Sequence, residues 1–192
     1  SAYGHWKLLE TLDELINTGI IEPVIMVGIY NNSNRLNEYS PDDDGDEYLD
    51  YIINSVKPYI DEKYSTKTDA ENTAIMGSSM GGLISLYAGL EYSDTFGKAG
   101  VISPSIWYNN KSILDRIDDM DEIPETKLWI DAGTGETTGQ NDQLGSMVQN
   151  ARDLTTLLME KDAVPVEDFL YYEVPNAGHN ESSWAERVHM TL

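Results

Sequence analysis

Chemistry concentrates first in Gly77-Ser78-Ser79-Met80-Gly81-Gly82. Ser79 has glycine two positions before it and two after, the G-x-S-x-G spacing, whereas Ser78 does not. A serine at the apex of a sharp strand-to-helix turn projects its hydroxyl into solvent, and flanking glycines remove side chains where the backbone folds back on itself. The amide of Met80 then points, with the helix amino terminus, toward the place where an oxyanion would form. Three fixed positions also describe an ordinary glycine turn, so the flanks must decide. Thr73-Ala74-Ile75-Met76 before it is a short apolar run, and Leu83, Leu86, Tyr87 and Leu90 after it fall at helical spacing. Strand, tight turn and helix are the context of a nucleophile elbow.

A nucleophilic serine needs a base and an acid, and the elements that could carry them read as alternating helices and strands. Trp6, Leu8, Leu9, Leu12, Leu15 and Ile16 predict a helix that stops at Gly19. Pro23 opens the continuous apolar run 24–29, of strand length, and a polar loop follows from Asn31 to about Asp46. Tyr48 to Val56 predicts a second helix, kinked or ended by Pro58. Further strands are predicted over 73–76, 96–102, 127–131 and 169–174. Helices are predicted around Ile113–Ile117, along the Met147, Ala151, Leu154 and Leu158 face, and over Trp184 to Met190. This alternation predicts an α/β fold with a parallel sheet covered on both sides, in one domain over 1–192.

In such a sheet functional groups gather just past the carboxyl ends of the strands. Of the three histidines, His5 starts a helix and His189 lies near the chain end. His179, after the run 169–174 and preceded by Gly178, is the candidate base. The candidate acids follow the run 127–131: Glu136 ranks first and Asp142 second, while strand alternation aims Asp131 elsewhere. Such an acid accepts the imidazole N–H, fixes its tautomer and stabilises the imidazolium formed when Ser79 loses its proton. The order serine, acid, histidine is that of α/β-hydrolases.

Composition limits the alternatives. Twelve Lys and Arg against 34 Asp and Glu give a formal charge of −22, a field that repels nucleic acid and anionic membranes. It suits a protein kept soluble outside the cell or in high salt, and does not exclude the cytoplasm. The absence of cysteine removes disulfides, thiolate nucleophiles and zinc-thiolate sites. No run reaches the length of a membrane span.

Together these residues resemble the Putative esterase family of α/β-hydrolases, which includes feruloyl, acetyl-xylan and enterochelin-type esterases, S-formylglutathione hydrolases and mycolyltransferases. The resemblance runs through Val27-Gly28-Ile29, Arg35, Glu38-Tyr39, Gly77 to Gly82, Phe96-Gly97, Ser103-Pro104-Ser105-Ile106-Trp107, Asp131-Ala132-Gly133-Thr134 and Gly178-His179. It implies a three-layer sandwich with a mainly parallel sheet. It also implies ester hydrolysis through an acyl-enzyme, with Ser79, His179 and the acid at Glu136, no cofactor and no metal. A small soluble ester, such as one borne by a plant polysaccharide, is the implied substrate.

The chain departs from the family at its start. Ser1 to Trp6 resembles the end of a loop that normally supplies the second oxyanion amide, so the resemblance implies that the strand before it, which would lie between 24–29 and 73–76, is missing here together with two more N-terminal strands. The expectation is a chain incomplete at both ends, completed by a missing segment or a partner chain, with only the Met80 half of the oxyanion hole. Losing one such donor costs about 10²–10³ in rate. Trp107 and Tyr30 are candidate substrate contacts, with a packing anchor the plainer reading of Trp107. Asp42 to Glu47 is a solvated loop leading into a helix, because a calcium loop with Gly45 sixth would put Tyr51 where a glutamate is needed. Two functions of different class compete: a serine esterase, with an acyltransferase as its variant, and a catalytically silent protein of the same fold used in binding or assembly.

Overall fold

The structure, a computed structural model, describes residues 6–136 and 146–192. Four parallel strands, β1 (Ala74–Ser78), β2 (Lys98–Ile102), β3 (Lys127–Gly133) and β4 (Phe169–Val174), lie in the order β1-β2-β3-β4. Each connection carries a helix: α5 (Met80–Glu91), α6 (Ser112–Asp118) and α7 (Met147–Glu160). Before them come α1 (Leu8–Asn17), α2 (Arg35–Glu38), α3 (Gly45–Tyr51) and α4 (Lys57–Lys63), and α8 (Glu181–Ala185) follows β4. In register, Ser78 sits beside Ile102, Ile102 beside Asp131 and Asp131 beside Tyr172. The carboxyl ends of all four strands therefore reach one rim.

Alternation along β2 separates the two faces of the sheet. Ala99 and Val101 join the core cluster with Leu83, Leu86 and Leu90 of α5, Ile113 and Ile117 of α6, and Leu154 and Leu158 of α7. Gly100 points the other way, where a Cβ would meet the Thr191 side chain at 2.7 Å. On that side α1 packs on the 3₁₀ turn Val188–Met190, and the Trp6 and Trp184 rings lie 5.9 Å apart. Helix α5 is buried almost all round, and Gly89 lets it approach β2 so closely that a Cβ there would stand 2.9 Å from that of Ala99. Each fully buried leucine or isoleucine on α5 stabilises the fold by about 1.5–3 kcal/mol.

Three expected elements differ. The run 24–29 forms no strand: Val24, Ile25, Met26 and Val27 are 41–53% exposed and none belongs to a ladder. A strand exists only through its neighbours, and among the described residues nothing pairs with the outer edge of β1. Pro58 does not end its helix. It lies in the first turn of α4, after a π-helical stretch Ile52–Val56 whose wider turn relieves the clash of its ring with the preceding carbonyls. The final helix is broken into α8 and the turn Val188–Met190, with Arg187 between them.

Candidate active site

Ser79 stands between β1 and α5 with φ 59° and ψ −123°, a conformation costing an L-residue about 1–3 kcal/mol. Backbone contacts hold it there. Its N–H donates to the Ile102 carbonyl at 3.0 Å, and its own carbonyl accepts from the amides of Leu83 and Ser105, both at 3.0 Å. Gly77 is obligatory, since a Cβ there would lie 2.5 Å from the Gly81 carbonyl oxygen. Gly81 is not, because a Cβ on it would meet nothing within 4 Å, so only one of the two flanking glycines answers to a steric need. Met80 opens α5, and its amide has no acceptor among the described residues, as expected of the first helical position.

His179, in the loop after β4, reaches back to the elbow: its Nε2 lies 2.9 Å from Ser79 Oγ. Its Nδ1 lies 2.9 Å from Glu136 Oε2. Glu136 follows β3 in a turn closed by its amide donating to the Gly133 carbonyl at 3.1 Å. A carboxylate only accepts, so Nδ1 carries the hydrogen, which leaves Nε2 to accept from the Ser79 hydroxyl. With the one hydrogen of Ser79 so committed, the Ser105 hydroxyl, 3.2 Å away, is the donor in its contact with Ser79 Oγ.

The second oxygen of Glu136 is held separately. Oε1 accepts from Ser103 Oγ at 2.7 Å, the Gly133 amide at 3.0 Å and Arg187 Nη2 at 3.2 Å. Ser103 in turn accepts from Trp184 Nε1 at 3.1 Å and from Arg187 Nη2 at 2.6 Å. The guanidinium also donates from Nε to Asp131 Oδ1 at 3.1 Å, and Trp129 Nε1 donates to Asp131 Oδ2 at 2.9 Å. The Trp184 ring stands edge-on to the imidazole, centroids 5.0 Å apart. Burial pushes the Glu136 carboxyl up, but the hydrogen bonds from His179, Ser103 and Gly133 outweigh it and hold this acid below its usual range. At Asp131 the balance reverses: burial raises the carboxyl above its usual range despite the opposing pull of Arg187 and Trp129.

The structure thus brings Ser79, His179 and Glu136 into one hydrogen-bonded chain beside Met80. Asp142 lies outside the described residues. Trp107 is half-buried two residues after Ser105, its ring 6.0 Å from that of Tyr108 in edge contact. Tyr30 is 98% exposed and belongs to none of these hydrogen bonds. Asp42 binds Arg116, Asn109 and Ser112, and no side-chain group able to hold a metal ion occurs among the described residues. Sequence reasoning missed Ser103, Ser105 and Arg187. Arg187 was open to detection: with Trp184 and Val188 it shares one helical face, and a cation on an apolar face must find buried partners.

The family model described as "Putative esterase" matches residues 1–191. The chain belongs to this family. Among relatives of this esterase-family chain, the Bacillus subtilis protein YbbA is 28% identical over 166 residues, covering 80% of the chain and 66% of YbbA. The siderophore enterobactin esterase of Emericella nidulans is 39% identical over 69 residues, 36% of this chain and 23% of that protein. The chain therefore spans less than two thirds of these relatives. Among solved structures, the enterobactin esterase of Shigella flexneri superposes with a TM-score of 0.75 at 17% identity, over 94% of this chain and 46% of that one. The BES protein of Bacillus cereus gives 0.72 at 19%, over 97% and 78%. These likenesses establish an α/β fold shared with the esterase structures.

Proposed function

We propose that this chain carries the catalytic centre of a serine carboxylic ester hydrolase, with Ser79 as nucleophile, His179 as general base and acid, and Glu136 as the residue that orients it. One observation carries the reading: the imidazole of His179 spans Ser79 Oγ and Glu136 Oε2 with 2.9 Å on either side. Ser79 Oγ attacks the ester carbonyl carbon as its proton passes to Nε2, and the new C–O bond leaves a negative oxygen within reach of the Met80 amide. That intermediate collapses as the bond to the alcohol breaks, and His179 returns the proton to the departing oxygen. Water then attacks the acyl group and gives a proton to Nε2. The bond to Ser79 Oγ breaks, the serine is reprotonated, and the carboxylic acid leaves.

Family membership and the activities for which the relatives are named, enterobactin and feruloyl esterases among them, support a small soluble ester as substrate. An alcohol in place of water would make the same centre an acyltransferase. A fluorophosphonate probe tests the reading: mass spectrometry is expected to find the adduct on Ser79, and Ser79→Ala to abolish both adduct and p-nitrophenyl acetate turnover. A folded sample that takes no label overturns it and leaves the silent binding protein.

A further inference from the structure

We infer that Arg187 and Asp131 are a matched charge pair that sets the strength of the Glu136–His179 couple, Arg187 as a positioning residue and Asp131 as the second negative charge. This rests on the reading of His179 as general base. Arg187 pins Glu136 Oε1 and leaves Oε2 to the imidazole alone. The cost of such pinning is electrostatic: one guanidinium against one buried carboxylate is a neutral pair, and a neutral pair does little to stabilise an imidazolium.

Asp131 removes that problem. Asp131, Glu136 and Arg187 are 0%, 3% and 2% exposed, so their charges count in a poorly screened setting. Every side-chain hydrogen-bond partner of the Asp131 carboxyl is a donor: Arg187 through Nε on Oδ1, with Nη2 3.0 Å from the same oxygen as an ion-pair contact, and Trp129 on Oδ2. A protonated Asp131 would have a hydrogen with no acceptor among these contacts, so the hydrogen-bond geometry favours the carboxylate against the upward push of burial. Two carboxylates and one guanidinium leave a net charge of −1 behind His179, the charge that balances the proton taken from Ser79. The groups facing this couple are Ser103 from the turn after β2, Asp131 from β3, Gly133 from the turn after it, Trp184 and Arg187 from the final helical segment, and Ser79 with Ser105. No further ionised side chain is hydrogen-bonded to it among the described residues. A buried ion pair with a purely structural role would affect folding alone.

The test is the pH dependence of the fluorophosphonate labelling rate at Ser79 in the wild type, Asp131→Asn, Arg187→Met and the double variant. Asp131→Asn leaves no net charge behind the base, so the acid limb of the profile moves down by about one pH unit and the plateau rate falls about tenfold. Arg187→Met leaves two negative charges, and the limb moves up by a similar amount. The double variant restores −1, and the limb returns to within about 0.3 unit of the wild type. Limbs that stay fixed, or that move in the same direction in both single variants, overturn the inference. If Arg187→Met does not fold, Asp131→Asn and the double variant still decide, because removing the guanidinium from the Asp131→Asn background must move the limb upward. A wild type that takes no label fails the hydrolase reading first, and this inference with it.

Discussion

Glu136→Gln is expected to abolish nearly all turnover, although it changes one atom and removes no volume. A glutamine amide could orient either way. In one, its NH₂ sits at the Oε1 position, facing donors from Ser103, Gly133 and Arg187. Three donors against a donor is untenable in a buried site, where an unmade hydrogen bond costs about 1–3 kcal/mol. The amide must therefore put its oxygen there and turn NH₂ toward His179 Nδ1. An imidazole facing a donor at Nδ1 moves its hydrogen to Nε2, the nitrogen that has to accept from Ser79. Loss of the correct tautomer in a serine triad lowers kcat by about 10⁴, equivalent to about 5.4 kcal/mol at 1.36 kcal/mol per tenfold. The assay is p-nitrophenyl acetate hydrolysis with the melting temperature measured in parallel. KM is expected to stay within a fewfold, since Glu136 touches no substrate. A folded Glu136→Gln protein retaining more than a tenth of wild-type kcat would refute both the tautomer argument and the role of Glu136.

Other expectations are simpler. Gly77→Ala drives a methyl into the backbone of Gly81 and should cost at least about 3 kcal/mol, read as a fall in denaturant midpoint, whereas Gly81→Ala should cost well under about 1. At Asp42, burial raises the carboxyl, but hydrogen bonds from Asn109, Ser112 and Arg116 overcome this and hold it below its usual range. Because the folded-state value is the lower one, the stabilisation is complete above the ordinary carboxylate range and is lost progressively as pH falls from there through the lower folded-state value. Asp42→Asn should therefore narrow the gap in melting temperature between pH 7 and pH 3, and a gap as wide as the wild type's would contradict this. The apolar strip Val24 to Val27 stands 41–53% exposed. Ile25→Asp with Met26→Lys should then cut binding of an apolar dye severalfold without lowering the melting temperature, and a clear destabilisation would show that the strip is already buried.

The parts of the site readable from sequence were those fixed by local backbone needs. Gly77 marks the elbow because no side chain fits there, and Gly178-His179 follows a strand whose length and apolarity are plain. Glu136 was a candidate because it follows the strand 127–131, but its two-sided anchoring depends on Ser103 and Arg187, 33 and 51 residues away. Nothing local encodes such long-range pairing. Asp131 was set aside because alternation turns it from the histidine, and that direction is what delivers it to Arg187. The run 24–29 was misjudged for a different reason. Its composition specifies an extended apolar segment, but hydrogen-bonded pairing is a property of two chains of residues, and composition describes one.

Because the sheet is laid down in chain order, β1 contributes the hydroxyl, β2 the turn that steadies it, β3 the acid and β4, last of all, the base. Ser79 precedes His179 by a hundred residues. On the proposed mechanism, a chain emerging from the ribosome would thus carry Ser79 long before His179 could deprotonate it, and would stay inert until the fourth strand had docked. Turnover would for that reason also be a gauge of completed assembly: a partly folded molecule, even with its elbow fully formed, would lack the base that the reaction needs.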